Sequence, residues 1–427
     1  MPCARYTQRG AIRTVSAALL LAIAVVAWAT VSPAAAAKTE VKLLVWGDSA
    51  PYKPIVDQFE KVNPDIDVRI EPSPAYGSYL DKLQVEIAAG VAPDVVELGG
   101  MFVSQLARAG ALVSLDPYLA RDKVNLNDFL PTGDMFLYND RTYGIGTAYD
   151  VIGLVYNQDM FDQSGLSAPD ENWTWSNLRT AAAKLTRRNG DKVLNYGIIM
   201  YAAPQYWGQA SWMNFFAQNG VRPLNKAKTQ AAFNNPAGIE AIKFMADFVL
   251  TDHSAPPVPQ VYSWDFSKEQ VAMDLSILPL PFPGLTRSAK FSWDVAPAPK
   301  GKFRAAVTNT VGLGITAQSK VKEAAWEFLK FAVTEGGRIV AATRPWMPVY
   351  KPAVAEYLKG LQKPRNFARV LQVSADYVID MQFTPTWYQW SAALGTRISE
   401  AVAGKQSVEA ALAQAEDEVN RFLAQEK

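Results

Sequence analysis

One cysteine, Cys3, and one histidine, His253, occur in 427 residues. A Cys/His nucleophile pair and zinc sites of the usual kinds therefore lack their ligands, so no catalytic residue, metal or cofactor is expected. His253, within TDHSAPP, reads as a solvated loop residue. No GxSxG is present, and Gly99-Gly100 and Gly144-x-Gly146 do not make a phosphate loop. Charge of one sign is missing as well: 42 Lys and Arg stand against 41 Asp and Glu. Nothing in that balance attracts nucleic acid or an anionic membrane.

The first residues read as a leader. Arg5, Arg9 and Arg13 form a positive n-region, 15–31 an apolar stretch, and Ala35-Ala36-Ala37 a cleavage site. The expectation is a signal peptide over 1–37, cleaved after Ala37, with an uncleaved anchor as the alternative. No later apolar run approaches the roughly 20 residues of a membrane span. Cys3 precedes the apolar stretch, which argues against lipid attachment. Without the leader, 39 basic residues face 41 acidic ones, and no disulfide is available in an oxidising compartment. Stability must then come from a large core, which 49% apolar content supplies. The length suggests two lobes.

The chain alternates strand and helix. Residues 41–46, 66–70 and 93–96 read as strands, with helices between them that start at Pro54 and stop at Asn63-Pro64 and Gly90. Such βαβαβ order calls for a parallel sheet, with ligands beyond the carboxyl ends of its strands. Trp46-Gly47-Asp48 and Leu98-Gly99-Gly100 lie at that edge. Val151 to Tyr156 form a buried strand, ended by the turn residues Asn157, Gln158 and Asp159. Gly144 and Gly146 sit before it, where permissive backbone angles are expected. One carboxylate, Asp150, stands beside the apolar run and must point into a turn, an ion pair or a polar cleft. Thr174 is expected to cap a helix over 175–185, and 239–250 and 324–333 read as helices. Residues 295–299 read as a proline-spaced connector. Residues 398–422 read as helical with a break at Gly404.

Short pieces then accumulate in order. Phe59-Glu60 with Asn63-Pro64, Ile66 and Val68 is followed by Pro93-Asp94-Val95 and by Gly110 to Asp116. Tyr143-Gly144-Ile145 leads to Leu154-Val155-Tyr156-Asn157, then Phe161, Gly165-Leu166 and Thr174-Trp175. Val271-Ala272-Met273, Ala298-Pro299, Ala324 to Leu329 and Pro348-Val349 complete the series. This order resembles the extracellular solute-binding proteins of bacterial ABC importers, and among them the sugar and oligosaccharide binders related to maltose-binding protein.

The resemblance implies an α/β, two-lobed fold of the type II periplasmic-binding-protein kind, with the ligand cleft between the lobes. It implies an N-lobe of 38–149 plus 296–343, a C-lobe of 152–294 plus 348–427, and about three hinge crossings near 148–151, 295–298 and 344–348. Asp150 aligns with a hinge carboxylate that binds sugar hydroxyls in that family. Departures matter too. The family's Gly-x-Trp after its Ala-Met is absent, so Phe282 or Trp264 must substitute. The usual aromatic after the third strand is replaced by Leu98-Gly99-Gly100.

A sugar ring needs aromatic faces for its C–H side and carboxylates or amides for its hydroxyls. All but one of the twelve tryptophans lie beyond the leader. The candidate ligand residues are Trp46 and Asp48 at the strand edge, Asp150, and Tyr206 and Trp207 in a Pro/Gly-flanked loop. Asn309 before a glycine-containing strand, Trp346 between prolines, and Trp390 or its neighbour in PTWYQW complete the set. For Trp46 and Asp48 the structural alternative is a core indole and a turn aspartate. Trp326 and Trp175 read as core.

The functional reading is a monomeric, periplasmic carrier that captures a sugar or short oligosaccharide and delivers it to ABC permease subunits, with no enzymatic activity and no nucleic-acid partner. The alternatives are a secreted glycoside hydrolase, or the same clamp holding a polyamine or glycerol phosphodiester. In every version two separately packed halves face each other across a gap lined with rings and acids.

Overall fold

The computed structural model describes residues 38–426, apart from 74–75, 133, 203–205, 344–345 and 380, and apart from the side chains of 76–77, 206–210 and 309. The expected leader and Arg344, in the expected third crossing, lie outside the described residues. No described helix is long and apolar enough to cross a membrane.

Strand β1 (Thr39–Trp46) pairs in parallel with β2 (Ile66–Ser73) and β3 (Val95–Gly99). The connecting helices, Lys53–Val62 and Tyr76–Ala88, make these crossovers βαβ units, as the alternation predicts. Pro54 occupies the first turn of its helix and Asn63 closes it. Two short hairpins, β4 (Leu137–Tyr138) with β5 (Arg141–Thr142) and β7 (Arg187–Asn189) with β8 (Lys192–Asn195), stand apart from the main sheet.

The centre of the molecule is β6 (Ile145–Asn157), which is 13 residues long and buried along almost its whole length. Its first half pairs antiparallel with β11 (Ala306–Ile315), which in turn pairs with β3. Its second half pairs with β9 (Met273–Leu278) and β10 (Trp293–Pro297). The handover falls at Val151, whose register partners are Thr308 of β11 and Leu278 of β9. One β6 strand thus serves a first unit (β2, β1, β3, β11) and a second (β9, β10). A short β12 (Val378–Ile379) pairs with the start of β11.

Alternation along these strands sorts the core by sheet face. Leu44, Leu98, Ile152 and Leu154 belong to one hydrophobic cluster, with Trp212, Trp387 and Trp390. Val41, Leu43, Val151 and Val155 belong to the other, with Trp293 and Trp326. Each cluster runs through both units. The two-lobed α/β fold stands, with the strands that cross from unit to unit carrying their apolar faces with them and so linking the two cores.

Several local expectations meet a different outcome. Residues 293–297 form β10 rather than a connector, because Pro297 sits at the strand's end, where no ladder donor is lost. Gly144 and Gly146 are not turn glycines. A Cβ at Gly146 would lie 2.8 Å from Thr310 Cγ2 and 3.0 Å from Val349, so close packing requires the glycine. Asn157 caps a helix, Gln158–Gln163, by accepting from the Met160 amide at 2.9 Å. The helix Lys351–Gly360, placed by sequence with the second lobe, packs on the helix Glu335–Thr343 of the first unit. The small residues Gly337 and Ala353 let the two approach, and Lys351 Nζ donates to the Asn127 carbonyl at 2.7 Å.

Other features stand as read. Thr174 and Asn177 form a reciprocal capping box. Gly404, at φ +73°, separates the helices Trp387–Val402 and Val408–Ala424. Trp326 is fully buried, and Trp175 stacks on Phe244 with centroids 4.4 Å apart.

Candidate functional site

Asp150 lies mid-strand, one residue before β6 changes partners, and not in a turn. Thr308 Oγ1 donates to its main-chain carbonyl at 2.6 Å. Its carboxylate has no hydrogen-bond or ion-pair partner among the described residues, and the residue is 8% exposed. Burial alone pushes its pKa up to about 7. A desolvated carboxylate without a partner is costly, and such groups cluster where a ligand supplies the missing donors.

Trp46 ends β1 half-buried, its ring edge-on to Tyr79 at 5.2 Å and to Phe102 at 5.8 Å. Beneath it lies Glu97, a residue the sequence reading passed over. Glu97 accepts from the Trp46 amide at 2.8 Å and from the Tyr52 hydroxyl at 2.7 Å. Burial raises its pKa to about 7 against the opposing pull of those two donors. A charge inside the apolar run VVELGG was the available signal. Tyr52 in turn packs against the half-buried Trp346, centroids 5.3 Å apart. The Trp346 indole N–H is buried with no acceptor. Backbone contacts hold this segment beside β6: the Tyr149 amide donates to the Met347 carbonyl at 3.0 Å, and Ala148 bridges Pro348. Trp46, Glu97, Tyr52 and Trp346 thus form one contiguous group at the strand edge, with Asp150 next to the residue that anchors it.

The remaining sequence candidates divide. Asp48 is exposed and accepts from the Ala50 amide at 2.9 Å, the turn role of the structural alternative. Asn309 is the register partner of Asp150, its side chain outside the described residues. Tyr206 and Trp207 open the helix Tyr206–Gln218 rather than lying in a loop, and their side chains also fall outside the described residues.

Trp390 is corrected. It is 0% exposed, and its indole N–H donates to Thr384 Oγ1 at 3.0 Å, so no ring face is open. In a helix Trp387, Trp390 and Leu394 share one face, and that face is buried; Tyr388 points away and is 36% exposed. Its ring lies 6.1 Å from Phe102, which carries the aromatic line from Tyr79 and Trp46 onward to the second unit. Helical periodicity in PTWYQW was enough to choose Tyr388.

The aromatic absent after β3 has a physical explanation. A Cβ at Gly100 would overlap the Phe383 ring, so a residue of the C-terminal segment fills that space. Of the two expected substitutes for the missing Gly-x-Trp, Phe282 is core, edge-on to Phe367 at 4.8 Å. Trp264 is half-buried and lines a cavity. Among the described residues no group of three His, Cys, Asp or Glu side chains is placed to hold a metal.

Two units share one long central strand, with acids and rings at the strand edge between them. The chain belongs to the family described as bacterial extracellular solute-binding protein, which it matches over residues 46–339. It is 26% identical over 336 residues to a binding protein of Brucella abortus (strain 2308), covering 75% of this chain and 77% of that one. It is 22% identical over 315 residues to the maltotriose-binding protein of Pyrococcus abyssi, covering 69% of this chain and 62% of the relative. Among solved structures, the ABC substrate-binding protein of Listeria monocytogenes in complex with cycloalternan superposes with a TM-score of 0.80. That match is at 26% identity and covers 91% of this chain and 99% of that one.

Proposed function

We propose that this protein is the exported binding component of an ABC importer, capturing a sugar or short oligosaccharide and handing it to a membrane permease without altering it. The observation that carries the reading is Asp150, a buried carboxylate left without a donor among the described residues where β6 passes from one unit to the other. Sugar hydroxyls supply such donors, each charge-assisted bond contributing about 1.5–3 kcal/mol. On this reading the ring faces come from Trp46, Trp346 and Tyr388, which pack on Tyr79, Tyr52 and Phe102 at the strand edge. The cycloalternan and maltotriose recognised by two relatives support a carbohydrate ligand. The leader over 1–37 supports export to the periplasm.

A thermal-shift screen over sugars, oligosaccharides, polyols, polyamines and phosphate esters tests the reading, because a ligand bound only by the folded form raises the melting temperature. The expected result is stabilisation by one or more carbohydrates that are recovered unchanged. Stabilisation by a polyamine or phosphodiester alone, or release of hydrolysis products, overturns it.

A further inference from the structure

A cavity of about 350 Å³ lies within the second unit. Tyr201, Tyr262, Trp264, Asp265, Lys268 and Asp274 line it. It is separate from the site around Asp150. Asp274, near the start of β9, is the register partner of Val155, five residues along β6 from Asp150. That is about 17 Å of strand, and an odd number of residues places the two on opposite faces of the sheet.

The polar groups of this cavity are unevenly satisfied. Asp265 is fully engaged: its Oδ1 accepts from the Ser267 amide at 2.8 Å and the Ser267 hydroxyl at 2.7 Å, and its Oδ2 meets Lys268 at 3.2 Å. Asp274 is not. Among the described residues its Oδ1 is buried with no hydrogen-bond partner. Burial raises its pKa to about 7. Around it the rings of Tyr201 and Tyr262 lie 5.9 Å apart at 34°, and Trp264 is held edge-on to Tyr196 at 4.6 Å. Tyr262 is 59% exposed, an aromatic face standing open at the rim.

We infer that this cavity is a second carbohydrate-binding pocket, taking one pyranose-sized ring with a hydroxyl donated to Asp274 and a C–H face laid on Tyr262 or Trp264. The volume suits one ring with room for water. All lining residues belong to one unit, so binding here does not depend on the two units closing.

The test uses the full-length protein with Asp150→Ala, titrated with D-glucose, D-galactose and D-mannose and followed by tryptophan fluorescence and saturation-transfer NMR. The expected result is saturable binding of at least one monosaccharide, weakened tenfold or more when Trp264→Ala or the shape-conserving Asp274→Asn is added, with far-UV circular dichroism confirming the fold. No saturable binding of any of the three sugars overturns the inference, as does binding that neither added substitution changes. The main site is judged separately, by whether Asp150→Ala alone weakens the ligand found in the thermal screen.

Discussion

Thr308 and Asp150 meet through a hydroxyl-to-carbonyl hydrogen bond of 2.6 Å, one residue before β6 changes neighbours. The bond satisfies the main chain of Asp150 and leaves its carboxylate without a partner among the described residues. Backbone position and side-chain need are thereby separated: the strand is held rigid, and the acid awaits a donor.

Asp150→Asn is expected to weaken carbohydrate binding at least tenfold, about 1.4 kcal/mol, because a carboxylate-to-hydroxyl bond is replaced by a neutral one. The same substitution removes a desolvated charge. Stability of the ligand-free protein at pH 8 is expected to rise by about 2 kcal/mol. Titration calorimetry and urea unfolding check the two halves; unchanged affinity would end the assignment of Asp150 to the ligand.

The pH dependence has a definite sign. Asp150, Glu97 and Asp274 are each raised to about 7 in the folded state, from 3.8, 4.5 and 3.8. Between pH 4 and 7 the folded form therefore binds more protons than the unfolded form. Their contribution is full below about pH 4 and is lost as pH rises through 7. Carboxylates held low by ion pairs, such as Asp122 through Arg121 and Lys330, act in the opposite direction at lower pH. Ligand-free unfolding is expected to show greatest stability near pH 4–5 and a decline toward 7.5. A flat profile across that window contradicts the burial of these acids.

Tyr52→Phe removes the hydroxyl that donates to Glu97 and leaves a buried oxygen unsatisfied. A loss of about 1–3 kcal/mol in unfolding free energy is expected. Adding Glu97→Gln to it should recover part of that loss, since an amide carries no charge to be solvated. A double-mutant cycle measured by urea unfolding checks the coupling.

Lys228, expected in the C-lobe, pairs with Asp134, expected in the N-lobe, both partly exposed at 29% and 35%. Such a pair contributes less than about 1 kcal/mol to folding. On the proposed lobe division it joins the two lobes, so Asp134→Asn is expected to leave unfolding nearly unchanged and to lower carbohydrate affinity two- to fivefold. The difference from the unsubstituted protein should shrink at 0.5 M salt, as titration at two ionic strengths reads directly.

Tyr388→Ala and Trp390→Ala should separate ligand from core. The exposed Tyr388 is expected to cost affinity with little stability. Loss of the fully buried Trp390 is expected to cost about 3–5 kcal/mol of stability. Thermal unfolding and titration of both variants decide between them.

The amino-acid sequence by itself determined the βαβ alternation, the caps at Thr174 and Asn63, the break at Gly404 and the family, because these depend on neighbours three or four residues away. Periodicity also held the choice between Tyr388 and Trp390, which turns on which side of one helix each occupies. Tertiary structure alone decided the rest. That Asp150 sits in a strand with no side-chain partner among the described residues, that Phe383 takes the place of a ring at Gly100, and that Glu97 meets Tyr52 across 45 positions of sequence are facts of packing between distant segments. Whether a buried acid is paired or bare depends on what the fold brings beside it, and local propensity does not contain that information.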